Sequence, residues 1–288
     1  MKIAMTGSNG FIGKKLRLFF EKKGHQVTGI SRFLICGNLQ ELASSLAESD
    51  AVIHLAGAPV MQRWTKKNRR IIYNSRIITT WNLTRAMNQM DADKKPRVFI
   101  SISAVGIYRS GRSHDEQSIN LDPHFLGRVV TDWENASVDL DKRIRRIIFR
   151  TGIVLGKESE VIKNLLPLFK MGLGGKIGDG KQPFPFIHTD DLEQAFYEGI
   201  VNETYSGIYN LVAPDQVNNE QFTLMLAGKL NKPAFFSIPS FVLKIIYGDA
   251  AVMLLKNPEV IPRRLADAAF RFRYPTLSAA LDEILKKS

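Results

Sequence analysis

Lys2-Ile3-Ala4-Met5-Thr6-Gly7-Ser8-Asn9-Gly10-Phe11-Ile12-Gly13 decides how the rest of this chain is read. A short apolar strand, 2–6, runs into three glycines spaced G-x-x-G-x-x-G, and an amphipathic helix, 11–23, follows at once. At such a junction a helix N-terminus offers unpaired N–H groups and the positive end of its dipole, which stabilise an anion. Gly7 permits the tight turn, Gly10 lets the backbone approach a phosphate because it has no Cβ, and Gly13 allows the helix to pack close to the strand. Thr6, Gly7, Asn9, Gly10, Phe11, Ile12 and Gly13 are therefore the expected contacts of a dinucleotide pyrophosphate. A merely tight turn between strand and helix is the competing reading, and the agreement of strand, turn and helix weighs against it.

Working outward, apolar runs at 26–30, 51–55, 97–103 and 146–154 alternate with amphipathic stretches, of which 66–90 and 123–142 are the most helix-like. Strands apolar almost throughout are buried on both faces, as in a parallel sheet covered by helices on both sides. The fold class expected is α/β, a doubly wound parallel sheet of Rossmann type. After residue 155 five glycines crowd into 172–180, with Pro183 and Pro185 beyond, which reads as an irregular loop leading into a second lobe. A helix at 190–201 and a strand at 207–212 come next, then helices at 219–230, 240–255 and 276–286. The organisation expected is a dinucleotide-binding domain over 1–155 to which 188–213 returns, with 156–187 and 214–288 forming a smaller, mainly helical substrate lobe.

The chain has 288 residues, enough for a core that needs no disulfide or structural metal. Its single cysteine, Cys36, cannot form an intrachain disulfide, and no His/Cys/Asp/Glu group has metal spacing, so no metal is expected. With no apolar leader before the glycine turn, the expected compartment is the cytoplasm. The most apolar stretch, 241–255, is interrupted by Lys244 and Asp249 and is too short to cross a bilayer; it reads as a buried helix, and no membrane association is expected. Forty Lys+Arg against 28 Asp+Glu leave a net charge of +12. The excess gathers in Arg63, Lys66, Lys67, Arg69, Arg70 and Arg76 and again in Lys142, Arg143, Arg145 and Arg146. Solvated helix faces are the favoured reading of both groups, since no aromatic or finger signature of nucleic-acid binding accompanies them.

At the end of the second strand, where a carboxylate would bind the ribose of NAD, stands Ser31-Arg32. A guanidinium there pairs with a 2′-phosphate, so the expected cofactor is NADP(H), held by Arg32. A surface arginine after a strand is the alternative.

Thr6-Gly7-x-x-Gly10-x-x-Gly13, Val52-Ile53-His54-Leu55-Ala56-Gly57 and Ser101-Ile102-Ser103-Ala104-Val105-Gly106 resemble the extended short-chain dehydrogenase/reductase superfamily. Arg63-Trp64-Thr65, Asp132-Trp133-Glu134, Arg150-Thr151-Gly152-Ile153-Val154-Leu155-Gly156, Phe186-Ile187-His188-Thr189-Asp190-Asp191-Leu192 and Pro262-Arg263-Arg264-Leu265 resemble more narrowly its atypical epimerase-family branch, which ends in a domain of unknown function. The resemblance implies that Leu55, Ala56 and Gly57 sit beside the cofactor, that a small organic substrate binds between the lobes, and that Ser103 polarises the substrate carbonyl. An oxidoreductase or epimerase acting on a carbonyl or hydroxyl group is the function implied.

The chain departs from the superfamily at the chemistry. Val130 and Glu134 stand where a Tyr-x-x-x-Lys pair is expected, and valine carries no proton. Tyr108 is the nearest substitute acid, against the reading of a packed lid residue, and Glu134 is a candidate whose role is open. These losses motivate a second hypothesis, an NADPH-sensing regulator that turns nothing over. The segment 35–39 is short for the third-strand region of the superfamily, and Asn38 occupies the place of an adenine-contacting Asp. His54 reads as a hydrogen-bonded core residue, and His188 as part of a helix start capped by Thr189 or Asp190. Substrate identity and oligomeric state are left open.

Overall fold

The computed structural model describes residues 1–286. Its first half follows the strand and helix rhythm: β1 (Lys2–Thr6), α1 (Phe11–Lys22), β2 (Gln26–Ile30), α2 (Arg32–Ile35), α3 (Leu39–Leu46), β3 (Ala51–His54), α4 (Lys66–Gln89), β4 (Val98–Ala104), β5 (Ser113–His114), α5 (Phe125–Asn135) and β6 (Arg145–Thr151). The second half contains β7 (Ile153–Leu155), α6 (Glu160–Lys170), β8 (Gly175–Ile177), β9 (Phe186–His188), α7 (Thr189–Val201), β10 (Gly207–Leu211), α8 (Asn219–Lys229), β11 (Phe236–Ile238), α9 (Ser240–Tyr247), α10 (Val252–Leu255), β12 (Glu259–Val260), α11 (Arg263–Asp267) and α12 (Leu277–Leu285).

Six strands form the main sheet in the order β10-β6-β4-β3-β1-β2, every pair parallel. The chain leaves β1 to build β2 on one side and returns to build β3 on the other. Beyond the carboxyl ends of β1 and β3 there is thus a crevice that no connection crosses, the usual ligand position in such sheets. The alternation of strand side chains divides the core in two. Ile3, Met5, Ile53, Ile100 and Phe149 pack with Leu16 and Phe20 of α1 and Phe196 of α7, while Ala4, Val52 and Phe99 pack with Leu42 of α3 and Leu83 and Met87 of α4. A third cluster joins α6, α8 and α12 through Ile162, Phe222 and Leu281 around Phe184 and Phe186 and forms the core of the second lobe.

Several expectations are corrected. The run 146–154 is two strands: β6 belongs to the main sheet, and after Gly152 the chain swings away so that β7 pairs with β9. The helix expected over 123–142 stops at Asn135, and the glycine-rich loop contains β8. Residues 35–39 hold no strand; they are the end of α2 and the start of α3. The helix expected over 240–255 breaks at Gly248, whose φ is +60°, and it is not buried, since Phe241 and Ile245 are 62% and 64% exposed.

The basic groups are not simply solvated. Arg145 donates to the carbonyls of Gly199, Ile200 and Tyr205, so it satisfies the carboxyl end of α7. Arg63 donates to the carbonyls of Ile245 and Ile246 and Arg69 to Asp249, which fastens the start of α4 to the C-terminal segment. His188, rather than Thr189 or Asp190, caps α7: its Nδ1 accepts from the Asp190 amide while Nε2 lies 3.1 Å from Glu283 of α12.

Candidate functional site

Gly7 sits at φ +66°, and a Cβ there would lie 2.9 Å from the Leu55 carbonyl group, so only glycine lets the turn rest on the end of β3. A Cβ on Gly13 would lie 2.2 Å from Gly7 O and 2.7 Å from Ser8 Cα. Its close approach is therefore to the turn itself, not to the strand as the spacing suggested. Gly10 is the N-cap residue of α1 and offers no side-chain cap, and no acidic residue occupies the first turn. The amides of Phe11, Ile12 and Gly13 are left for an external acceptor, as a helix start requires. Asn9 is exposed beside them.

This turn opens on a cleft of about 300 Å³ whose lining includes Gly10, Ile12, Leu55, Ile102, Val154 and Ser159. The cleft thus lies at the carboxyl ends of β1, β3 and β4 and faces the start of α6. Its lining and the bare amide cradle suit a molecule with an anionic linker and flat apolar parts.

Thr6 does not face the cleft. Its hydroxyl accepts from the amides of Leu55 and Ala56, at 3.1 and 3.2 Å, so its own proton goes to His54 Nδ1, 2.7 Å away. His54 then donates from Nε2 to Thr80 Oγ1 at 2.9 Å. The expected cofactor contact at Thr6 is corrected to a buckle that holds the loop carrying Leu55, Ala56 and Gly57. Burial, reinforced by the nearby positive Arg76, pushes His54 down to about 3, so the imidazole stays neutral. Below pH 6.5 the unfolded chain takes up a proton that the folded chain refuses. His54 by itself is expected to remove about 1.4 kcal/mol of stability per pH unit as the pH drops from 6.5 toward 3. Urea unfolding of wild type and His54→Gln across that range checks this, and equal acid slopes in the two proteins would refute it.

Arg32 is exposed in the first turn of α2, where Ser31 caps the Leu34 amide, and no carboxylate pairs with it among the described residues. Asn38 caps α3, accepting from the amides of Gln40 and Glu41. Its carbonyl oxygen is consumed by that cap, so an adenine contact there would fall to its side-chain NH2 group as donor.

The second half of the site is a buried network. Glu134 lies on α5 and Arg150 on β6, and the guanidinium grips the carboxylate through Nε at 2.9 Å and Nη2 at 2.7 Å. Ser103, the register partner of Arg150 on β4, donates its hydroxyl to Glu134 Oε1 at 2.6 Å. Arg150 Nη1 also donates to the Tyr108 hydroxyl, which donates in turn to Asn210 Oδ1 at 2.7 Å. Ser103, Glu134 and Arg150 are all buried. Burial disfavours the Arg150 charge, but the Glu134 carboxylate outweighs it and holds the arginine above its ordinary value.

Tyr108 is corrected by this geometry. It is buried against Val130 and Val260, with its hydroxyl committed to Arg150 and Asn210, and burial raises its pKa. It anchors the network and does not offer a proton to the cleft. Val130 fills the same apolar cluster. Arg150 and Asn210 were missed by sequence reasoning. The available signal was an arginine inside an apolar strand, whose charge is costly to bury unless a carboxylate or other acceptors meet it. Among the described residues no group of three or more His, Cys, Asp or Glu could hold a metal, and no helix is long and apolar enough to cross a membrane.

Comparison with known proteins agrees with this geometry. Residues 3–211 match the NAD dependent epimerase/dehydratase family, and residues 238–284 match a domain of unknown function, DUF1731. The chain is 35% identical to the epimerase family protein SDR39U1 of Bos taurus, covering 99% of this chain and 100% of that one. It is 30% identical to a chloroplastic SDR39U1 homolog of Arabidopsis thaliana over 99% of this chain and 87% of that one. The crystal structure of human SDR39U1 with NADPH superposes with a TM-score of 0.92 at 33% identity, covering 99% of each chain. With the glycine turn, the six-stranded parallel sheet and the C-terminal lobe all in place, the chain belongs to the NAD dependent epimerase/dehydratase family.

Proposed function

We propose that this protein binds NADPH across the carboxyl ends of β1, β3 and β4 and acts as an oxidoreductase or epimerase on a small substrate bearing a carbonyl or hydroxyl group. The observation that carries this reading is the uncapped start of α1, whose glycine turn would be filled by any side chain at Gly13 and which opens directly on the cleft. NADPH, when bound, supplies a hydride. The amides of Phe11, Ile12 and Gly13 hold the diphosphate, Arg32 the 2′-phosphate, and the loop of Leu55, Ala56 and Gly57 the ribose side. Ser103, near the carboxyl end of β4, is the residue we assign to the substrate oxygen; with its own proton given to Glu134, its oxygen is left to accept from a substrate hydroxyl. The substrate lies between α6 and the sheet.

Support for NADPH over NADH comes from Arg32, an unpaired guanidinium where a carboxylate would repel the phosphate. Arg32→Ala is expected to weaken NADPH binding about 10-fold to 100-fold and to leave NADH unchanged, as the loss of one charge-assisted bond implies. Fluorescence titration with both coenzymes checks it, and equal NADPH affinity in the two proteins removes the assignment. The whole reading is tested by calorimetry with NADPH and by a screen of carbonyl and sugar-nucleotide substrates for NADPH oxidation. No binding overturns it, whereas turnover that disappears in Ser103→Ala supports it and excludes a pure sensor. The cytoplasm is the compartment we favour, on the strength of the lone, exposed Cys36. The Arabidopsis relative's name places that protein in the chloroplast.

A further inference from the structure

Arg76, in the middle of α4, differs from the other inward-turned arginines. Arg150 has Glu134, and Arg145 has the carbonyls at the end of α7. Arg76 is half-buried, yet no carboxylate pairs with it among the described residues. Its Nη1 donates to the carbonyls of Ala58 and Ile72, at 3.0 and 3.2 Å, and Nε and Nη2 have no protein acceptor there. Asp132, the acidic residue of α5 beside Trp133, is occupied by the Tyr73 hydroxyl.

Beyond those two carbonyls, the surroundings of that guanidinium supply a further donor and no carboxylate among the described residues. Trp133 of α5 stacks under it, 5.2 Å from Cζ to the ring centroid, and the indole N–H is buried without a partner among the described residues. The indole residue itself is only 5% exposed. Gly57 closes the other side. A Cβ there would fall 3.0 Å from both Cζ and Nη2, so the missing side chain is what lets the guanidinium lie flat against the loop after β3. Leu55, two residues earlier in that loop, lines the cofactor cleft. Burying a cation without a counter-ion is costly, and burial pulls Arg76 down to about 10. An anionic oxygen that reaches Nε and Nη2 offsets that cost.

We propose that Arg76 and the indole N–H of Trp133 form an anion subsite beneath the loop after β3, which takes phosphate or carboxylate oxygens of a molecule seated in the adjoining cleft. Two sources share this chemistry: the diphosphate of the dinucleotide, which rests on the NADPH reading above, and the acidic group of the substrate. The planar fork of arginine and its fixed indole neighbour favour a bidentate contact, which lysine cannot reproduce.

The test uses the full chain, with calorimetric titration of NADPH, and of inorganic phosphate and acetate onto the NADPH complex, in wild type, Arg76→Met, Arg76→Lys and Trp133→Phe. A diphosphate contact predicts NADPH affinity lowered at least ~10-fold in Arg76→Met, less in Arg76→Lys, and measurably in Trp133→Phe. A substrate contact predicts unchanged NADPH affinity and loss of phosphate or acetate binding in Arg76→Met. Unchanged binding of all three molecules in Arg76→Met overturns the subsite. Thermal melting reports folding, and should Arg76→Met not fold, Arg76→Lys and Trp133→Phe decide the matter by the same criteria. If wild type binds phosphate but not NADPH, and Arg76→Met loses the phosphate, the subsite stands and the cofactor reading falls.

Discussion

Glu134→Ala is expected to destabilise the protein by about 3–5 kcal/mol, the cost of stranding one member of a buried ion pair. The reason is local. Arg150 would keep its charge inside the protein with Nε and Nη2 unpaired, and Ser103 would lose the acceptor 2.6 Å from its hydroxyl. Arg150→Met is expected to cost a similar amount for the reciprocal reason. The double variant Glu134→Leu/Arg150→Met removes both charges and is expected to recover most of the loss, because the pair's attraction is largely offset by its own desolvation. Urea denaturation of wild type, Glu134→Leu, Arg150→Met and the double variant closes the cycle that measures this coupling. A single variant within about 1 kcal/mol of wild type would show that the pair does not hold α5 to the sheet in the way its geometry indicates.

Gly13→Ala is expected to lower NADPH affinity at least ~100-fold, about 2.7 kcal/mol, and to cost about 1–3 kcal/mol of stability by overpacking. Its methyl group would meet backbone, Gly7 O at 2.2 Å and Ser8 Cα at 2.7 Å, so no side chain can yield and α1 itself has to move. Displacing α1 moves the amides of Phe11 and Ile12 away from the position of the diphosphate. Gly24→Ala is the matched control. Gly24, unlike Gly13, has a positive φ, +79°, and a Cβ there meets nothing within 4 Å, so backbone strain is added without touching the cleft. Gly24→Ala is expected to lower stability modestly and leave NADPH binding intact. Equal NADPH affinities in wild type and Gly13→Ala would remove the turn from the binding site.

The parallel sheet was legible because its strands are apolar on both faces and its glycines sit where a helix meets a strand. Element ends and breaks were less so. Nothing local separates β6 from β7, since both halves of that run favour strand; the division appears only when β9 pairs with the second half. The segment 240–255 reads as one buried helix from its hydropathy, yet exposure depends on what packs against it, and little of the chain covers Phe241 and Ile245.

The site divides along the same line. The turn from Gly7 to Gly13 and Arg32 are contiguous with the elements that present them, so residue type and spacing sufficed to single them out. Tyr108, in the loop after β4, meets Glu134 of α5, Arg150 of β6 and Asn210 of β10 only across the sheet and α5. Thr6 and Asn38 look like ligand contacts by position, and only the folded chain shows their oxygens already spent on backbone amides.

By itself, then, the order of residues determined a doubly wound sheet and an anion cradle at its first turn, because hydropathic period and the absence of Cβ atoms act over a few neighbouring positions. Which polar groups are satisfied, and which, like Arg76 Nε and the Trp133 indole N–H, find no protein acceptor among the described residues, was decided only in the tertiary structure. Hydrogen-bond satisfaction is a property of groups brought together from distant parts of the chain, and no local pattern encodes it.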